Sequence, residues 1–342
     1  KGHLASGAGA AIKVPVNPGE KITVSYYYTA DFSIDGGQPV TTNTQSTGTI
    51  ESVDYAYPAD TAGYATITFG AGASTTYLTH ISRTKNIPYT ATLRVGPDKD
   101  YLTINGALAA VRSMNRGADD RVSILIDPGN YEEMLLIDRP NITLKNAAVS
   151  PSIGLLNKGV DIAPGAVRVT SYYGHGYNYY SMGTDQKWNA EILRVNKENG
   201  ALSYENKGAG TTNGSYWNAT VAVLANGFEA EDLIFENSFN QYISKKESED
   251  KVVMWASGSK GLRPTDIGNT AVQNRSFVER AAALAIGNNV DKTVLKKCRV
   301  IGRQDSFFGG NESRVVVYKG AVMGAVDYLF GGMIAVFYKT DL

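Results

Sequence analysis

The chain has 342 residues, with 33 basic and 33 acidic side chains and therefore no formal net charge. That length accommodates two domains and a substantial core, and the charge balance gives no reason to expect a nucleic acid or an anionic membrane as partner. No apolar stretch approaches the ~18–20 residues needed to cross a bilayer. The opening Lys1-Gly2-His3 is not a signal peptide, so any export signal is expected to have been removed or to lie outside this sequence.

Residues 1–88 show short alternating runs: Ile12, Val14 and Val16; then Ile22, Val24, Tyr26 and Tyr28; then Tyr64, Thr66 and Thr68 against Ile67 and Phe69. Period-two alternation puts one set on a core face and the other toward solvent. Asp35-Gly36-Gly37 is a tight-turn signal, because glycine accepts the positive φ a hairpin requires. Several such strands at short spacing predict a small antiparallel β-sandwich. Arg83-Thr84-Lys85-Asn86-Ile87-Pro88 reads as its exit linker.

Residues 89–342 follow a different pattern. Ile104, Leu108 and Val111 share one helical face, with Thr103 as N-cap. Apolar runs separated by glycine and asparagine turns follow, at Val122–Ile126, Met134–Ile137, Ile142–Leu144, Val221–Leu224, Leu233–Phe235, Val315–Tyr318 and Ile334–Phe337. A short amphipathic helix followed by many short strands predicts a capped solenoid, each coil burying its inner face on the next. The tyrosine-rich run Tyr172–Tyr180 does not fit a simple strand, and Lys245–Lys251 reads as a solvated loop. His175 is the only histidine of this region, and no Gly-x-Ser-x-Gly elbow accompanies it. Cys298, the only cysteine, excludes an internal disulfide; among Val294, Leu295, Val300 and Ile301 it belongs in the core rather than to a nucleophile. The expected class is all-β: a parallel β-helix preceded by a β-sandwich.

An internal match carries the chemistry. Gly302-Arg303-Gln304-Asp305-Ser306-Phe307-Phe308-Gly309 recurs as Gly324-Ala325-Val326-Asp327-Tyr328-Leu329-Phe330-Gly331, 22 residues later, and the window from Arg280 to Gly287 begins 22 residues earlier. About 22 residues is one coil of a parallel β-helix, so Asp305 and Asp327 would stack at the ~4.8 Å strand spacing. Two carboxylates that close cannot both ionise easily, and an acid beside a base equips a site for hydrolysis. The spacing by itself equally allows an Asp ladder that caps turns. The neighbours favour chemistry: Gln304 offers an amide donor for an oxyanion, and Phe308 and Phe330 offer apolar walls that a solvated ladder does not need.

These segments resemble the pectin methylesterases. Gln304-Asp305-Ser306-Phe307 is similar to their Gln-Asp-Thr-Leu motif, Ala325-Val326-Asp327-Tyr328-Leu329-Phe330-Gly331 to their Thr-Val-Asp-Phe-Ile-Phe-Gly motif, and Arg280–Leu284 to their Gln-Ala-Val-Ala-Leu segment. Upstream, Tyr101–Leu108, Ile126–Tyr131, Asn141–Leu144, Ala219–Val223 and Ile234–Ser238 continue the resemblance in order, from about residue 92 to the end. It implies a secreted, extracellular esterase on a right-handed parallel β-helix, acting on methyl-esterified pectin as a monomer, with no metal or organic cofactor. Asp327 would be the nucleophile, Asp305 the general acid/base and Gln304 an oxyanion donor, with Arg280, Phe308 and Phe330 binding substrate. The chain departs from the family in two places. Arg280 stands where the family has its first oxyanion glutamine, and a later Gly-Arg-Pro-Trp segment, whose arginine orients the nucleophile, is expected to have been cut off beyond Leu342.

Two other classes remain in view. A glycoside hydrolase of polygalacturonate would release reducing ends instead of methanol. A non-catalytic pectin-binding β-helix would bind without turnover.

Overall fold

The computed structural model describes residues 4–27, 29–42, 50–59, 61–71, 75–174, 219–239, 241–249, 253–256, 259–262, 266–274 and 280–342. His175 and Tyr177–Tyr180 lie outside them. The chain divides into two compact units, residues 1–89 with 113–116, and residues 90–112 with 117–342.

The first unit contains two four-stranded antiparallel sheets. One runs Leu4–Ser6, Thr76–Lys85, Glu20–Tyr27, Ile50–Ala56 in spatial order; the other runs Ala11–Val16, Gly63–Phe69, Ala30–Ile34, Val40–Thr42. Alternation works as the sequence implies. Ile22, Val24, Phe32, Ile67, Phe69 and Leu78 enter one buried cluster, while Tyr64, on the opposite face of its strand, is 61% exposed. Asp35 and Gly36 turn the chain with φ of 48° and 71°. Arg83, Thr84 and Lys85 are not linker. They complete a ten-residue strand because Glu20, Lys21 and Ile22 pair with Lys85, Thr84 and Arg83, and the ladder bonds outweigh the polar composition of the segment.

The second unit is built on three parallel sheets. The first holds Thr92–Val95, Val122–Ile126, Ile142–Asn146, Glu229–Glu231, Thr293–Lys296, Arg314–Tyr318 and Ile334–Tyr338. The second holds Gly129–Glu132, Val167–Ser171, Ile234–Asn237, Arg299–Ile301 and Ala321–Met323. The third holds Leu135–Ile137, Val221–Val223, Leu284–Ile286, Phe307–Gly309 and Leu329–Gly331. The chain visits them in that order and repeats, so each circuit is one coil.

Inward positions stack in register. Leu93, Ile124, Leu144, Ala230, Leu295 and Val317 form one column; Val169, Phe235, Val300 and Val322 form a second; Leu135, Val221, Leu284 and Phe307 form a third. All are buried, and a large apolar side chain so placed contributes about 1.5–3 kcal/mol. Cys298 joins this core at 1% exposure. The helix Ile104–Ser113 buries Ile104, Leu108 and Val111. The Thr103 hydroxyl accepts from the Gly106 N–H at 3.0 Å, as an N-cap does. The Glu133 carboxylate adds two more caps, accepting from Ile104 N–H at 3.0 Å and Asn105 N–H at 2.9 Å, where the helix dipole favours negative charge.

Corners between sheets are made by single residues in the left-handed region: Asp232, Lys297, Lys319 and Lys339 leave strands of the first sheet with φ between 48° and 57°. Lys245–Glu249, expected as a solvated loop, is a short helix whose Glu247 is 2% exposed. Its first turn is capped by Ser244, whose hydroxyl accepts from the Glu247 N–H at 3.2 Å.

Candidate active site

The two Asp repeats form the corner between the second and third sheets. Each Asp follows a second-sheet strand, Arg299–Ile301 or Ala321–Met323, and precedes a third-sheet strand, Phe307–Gly309 or Leu329–Gly331. Both adopt positive φ, 58° at Asp305 and 45° at Asp327, a region Asp tolerates far better than most residues. An isolated parallel bridge pairs Gln304 with Val326, and Phe307, Phe308 and Gly309 pair with Leu329, Phe330 and Gly331. The 22-residue offset therefore holds on both sides, and Asp305 and Asp327 occupy equivalent positions of adjacent coils. The Asp305 N–H donates to the Val326 carbonyl at 3.1 Å and the Phe307 N–H to that of Tyr328 at 2.9 Å, which locks the two turns together.

The glycines that open the repeats are needed for close approach. A Cβ on Gly302 would sit 2.9 Å from Ser306 Oγ and 3.0 Å from the Ala281 carbonyl oxygen, and one on Gly324 would sit 2.7 Å from Ser306 Oγ. Any side chain there would force the coils apart.

The preceding coil departs from the expected frame by one residue. Leu284 pairs with Phe307, Ala285 with Phe308 and Ile286 with Gly309, an offset of 23 (307 − 284). Before Leu284 the step lengthens again: Ala283 and Leu284 N–H both donate to the Ser306 carbonyl, at 2.9 and 3.1 Å, and Ala281 N–H donates to that of Gln304 at 3.1 Å. Arg280 therefore does not align with Gly302.

Asp305 is 4% exposed. Arg280, about half exposed, places Nε 3.9 Å from Asp305 Oδ2, outside hydrogen-bond range yet within Coulombic reach. Gln304 is 6% exposed, and among the described residues neither its Oε1 nor the Ser306 hydroxyl has a hydrogen-bond partner.

Beside the Asp corner, the outward positions of the third sheet form a column: Leu136, Ala222, Ala285, Phe308 and Phe330. The Phe308 and Phe330 rings lie 5.1 Å apart, tilted by 52°. Next to Phe308 the small Ala222 and Ala285 leave a hollow of about 180 Å³, closed by Leu224, Gly287 and Asn288. Sequence reasoning identified the aromatic part of this column and missed the alanines. The run Ala281-Ala282-Ala283-Leu284-Ala285 was the available signal, since an outward alanine between larger neighbours makes a recess.

Residues 256–342 match the Pectinesterase family model. That segment contains Arg280, Gln304, Asp305, Phe308, Asp327 and Phe330; it is shorter than the resemblance traced through the upstream motifs. No match is found among the curated proteins. Among solved structures, the chain is similar to pectin methylesterase PemA from Erwinia chrysanthemi, at 20% identity and a TM-score of 0.43 over 73% of this chain and 54% of that one. It is also similar to the pectin methylesterase from Aspergillus niger, at 21% identity and a TM-score of 0.42 over 74% and 56%, and to that from carrot, at 16% and 0.40 over 72% and 50%. The chain thus spans about half the length of the structures it matches. Residues 256–342, the segment that carries both Asp repeats, are similar to the pectinesterase family.

Proposed function

We propose that this chain hydrolyses the C6 methyl esters of galacturonate in pectin, releasing methanol and leaving pectate. The observation that carries the proposal is the bridge between Gln304 and Val326, which puts Asp305 and Asp327 in register within the family-matched segment. Asp327 is the nucleophile: its carboxylate oxygen adds to the ester carbonyl, and the negative charge passes to the carbonyl oxygen. The amide of Gln304 donates to that oxyanion. Asp305 is the carboxyl that carries a proton in this scheme, paired with Asp327 on the adjacent coil. It gives that proton to the departing methoxide, so that methanol leaves and an acyl-enzyme anhydride on Asp327 remains. Asp305, now ionised, takes a proton from water, and the hydroxide cleaves the anhydride to free the galacturonate acid and Asp327. Phe308, Phe330 and the hollow beside them receive the sugar, and Arg280 faces a neighbouring carboxylate through its planar fork.

The remaining expectations enter as parts of this proposal. The coils form a right-handed parallel β-helix, as nearly all parallel crossovers do, and residues 1–88 form a β-sandwich accessory domain that binds carbohydrate. The protein acts outside the cell as a monomer.

Incubating highly methyl-esterified pectin with the parent chain and with Asp327→Ala, while measuring methanol and reducing ends together, tests the proposal. Methanol from the parent alone, without new reducing ends, is the expected result. New reducing ends, or equal methanol from both proteins, would overturn it.

A further inference from the structure

We infer that the corner between the first and second sheets of the coil is a separate, non-catalytic binding site for a linear acidic polysaccharide, a polyuronate. The last outward position of the first sheet forms one register column through Lys145, Glu231, Lys296, Tyr318 and Tyr338. The corner residues that follow are Asp232, Lys297, Lys319 and Lys339, all with positive φ. Lys297 N–H donates to the Tyr318 carbonyl at 2.8 Å and Lys319 N–H to that of Tyr338 at 2.9 Å, so the corners stack coil upon coil at roughly the ~4.8 Å strand spacing. Lys297, Lys319 and Lys339 are exposed.

The same two-residue unit is built twice. The Tyr318 and Tyr338 rings are stacked, 5.5 Å between centroids and 2° from parallel. Lys319 Nζ lies 5.1 Å from the Tyr318 ring centroid, and Lys339 Nζ lies 5.5 Å from that of Tyr338. A ring beneath an ammonium orients it without neutralising its charge. Glu231 is taken up by Lys145 at 3.3 Å and Lys296 at 2.9 Å. Asp232, buried at 7% exposure, attracts Lys297 and offsets part of its charge, which leaves Lys319 and Lys339 as the stronger part of the row. Asp341 acts on Arg299 of the second sheet.

A turn of this kind asks only for a residue that accepts positive φ, and glycine or asparagine does so more readily than lysine. Three successive lysines therefore concentrate positive charge on one edge of a chain with no net charge. The surface presents a row of ammonium groups at the coil repeat, with phenolic edges beside them. That pattern complements a polymer bearing a carboxylate and hydroxyl groups on every sugar unit. Single-stranded nucleic acid fits less well, because base stacking needs open ring faces and the two tyrosines turn theirs toward each other and toward lysine. The site lies at a different corner from Asp305 and Asp327, and the inference does not rest on the esterase reading.

The test uses the whole chain with Lys297, Lys319 and Lys339 each changed to glutamine, singly and together. Affinity for polygalacturonate is measured by calorimetry at low and moderate salt. The triple variant is expected to bind about tenfold more weakly, from three exposed charge contacts, with graded losses for the single variants. Parent binding should weaken with salt, since exposed contacts are screened. Tyr318→Ser with Tyr338→Ser should also weaken binding, through loss of the ordered lysines. Unchanged affinity in the triple variant would overturn the inference. So would absence of polygalacturonate binding by the parent, or equally tight binding of single-stranded DNA or fully methyl-esterified pectin. Methanol release from a short neutral methyl ester reports on the Asp corner alone and should be the same in parent and triple variant, so the two proposals fail independently.

Discussion

Asp305 and Asp327 occupy equivalent positions of adjacent coils, with the same left-handed backbone. Asp305 lies beneath the turn of the next coil, with its N–H bonded to Val326, and beside Arg280 of the preceding segment. Asparagine keeps the shape of either residue and also tolerates positive φ, so Asp305→Asn and Asp327→Asn should unfold at the parent temperature. Asp305→Asn should lower methanol release by about 10²–10⁴-fold, the usual worth of a general acid/base. Asp327→Asn should abolish it. Rates on methyl-esterified pectin, taken beside thermal unfolding curves, check both expectations.

Arg280 is half exposed and sits just outside hydrogen-bond range of Asp305, so its effect on the reaction should be modest. Arg280→Gln should leave kcat within about threefold and raise KM by up to about fivefold, the range of an exposed charge contact. The rise should be larger for partly de-esterified pectin, whose free carboxylates the guanidinium can meet. Comparing kcat and KM on substrates of high and low esterification separates this role from one at the ester itself.

Arg168 and Glu236 meet deep inside the second unit, 4% and 1% exposed, with Arg168 Nη1 3.5 Å from Glu236 Oε2. Arg168 also donates to Asn130 Oδ1 at 2.5 Å and to the Gly159 and Val160 carbonyls at 2.7 and 2.9 Å. Thr170 and Tyr242 donate to the Glu236 carboxylate at 2.9 and 2.6 Å. Arg168→Met would leave that carboxylate buried without its cation, costing about 3–5 kcal/mol. Burial pushes the Glu236 carboxyl up from its ordinary 4.5, while Arg168 pulls it down. In the variant the native state holds the proton over a wider range, so stability falls as pH rises above the unfolded value. Urea unfolding should show a smaller deficit near pH 5 than near pH 8.

Cys298 is buried, and burial pushes its thiol up to about 12. Thiolate is the reactive form, so the native chain should not react with a thiol reagent at pH 8. In denaturant one equivalent should react at once. Stoichiometric labelling of the folded protein would show that this part of the core opens.

The periodic parts of this protein were legible in its sequence. Alternation located Ala11–Val16, Glu20–Tyr27 and Gly63–Phe69, apolar runs located some of the parallel strands, and Thr103 marked the helix start, because burial on one face leaves a period in the sequence. The 22-residue match of Asp305 and Asp327 was legible for the same reason: equal coils put equal residues in register. Lys245–Glu249 and Arg83–Lys85 were read as loop and linker because their composition is polar, and only partners distant in the chain make them helix and strand.

By itself, the sequence determined part of the strand pattern, the pairing of Asp305 with Asp327, the Phe308–Phe330 neighbour relation and the burial of Cys298, since all depend on local period or a fixed repeat. The tertiary structure decided the rest. It set the longer step that moves Arg280 out of the repeat frame and the hollow left by Ala222 and Ala285. It also decided the alignment of Lys297, Lys319 and Lys339 along one corner. Each of these depends on the register between coils, and register is a sum of hydrogen bonds and contacts between segments far apart in the chain, which no local pattern records.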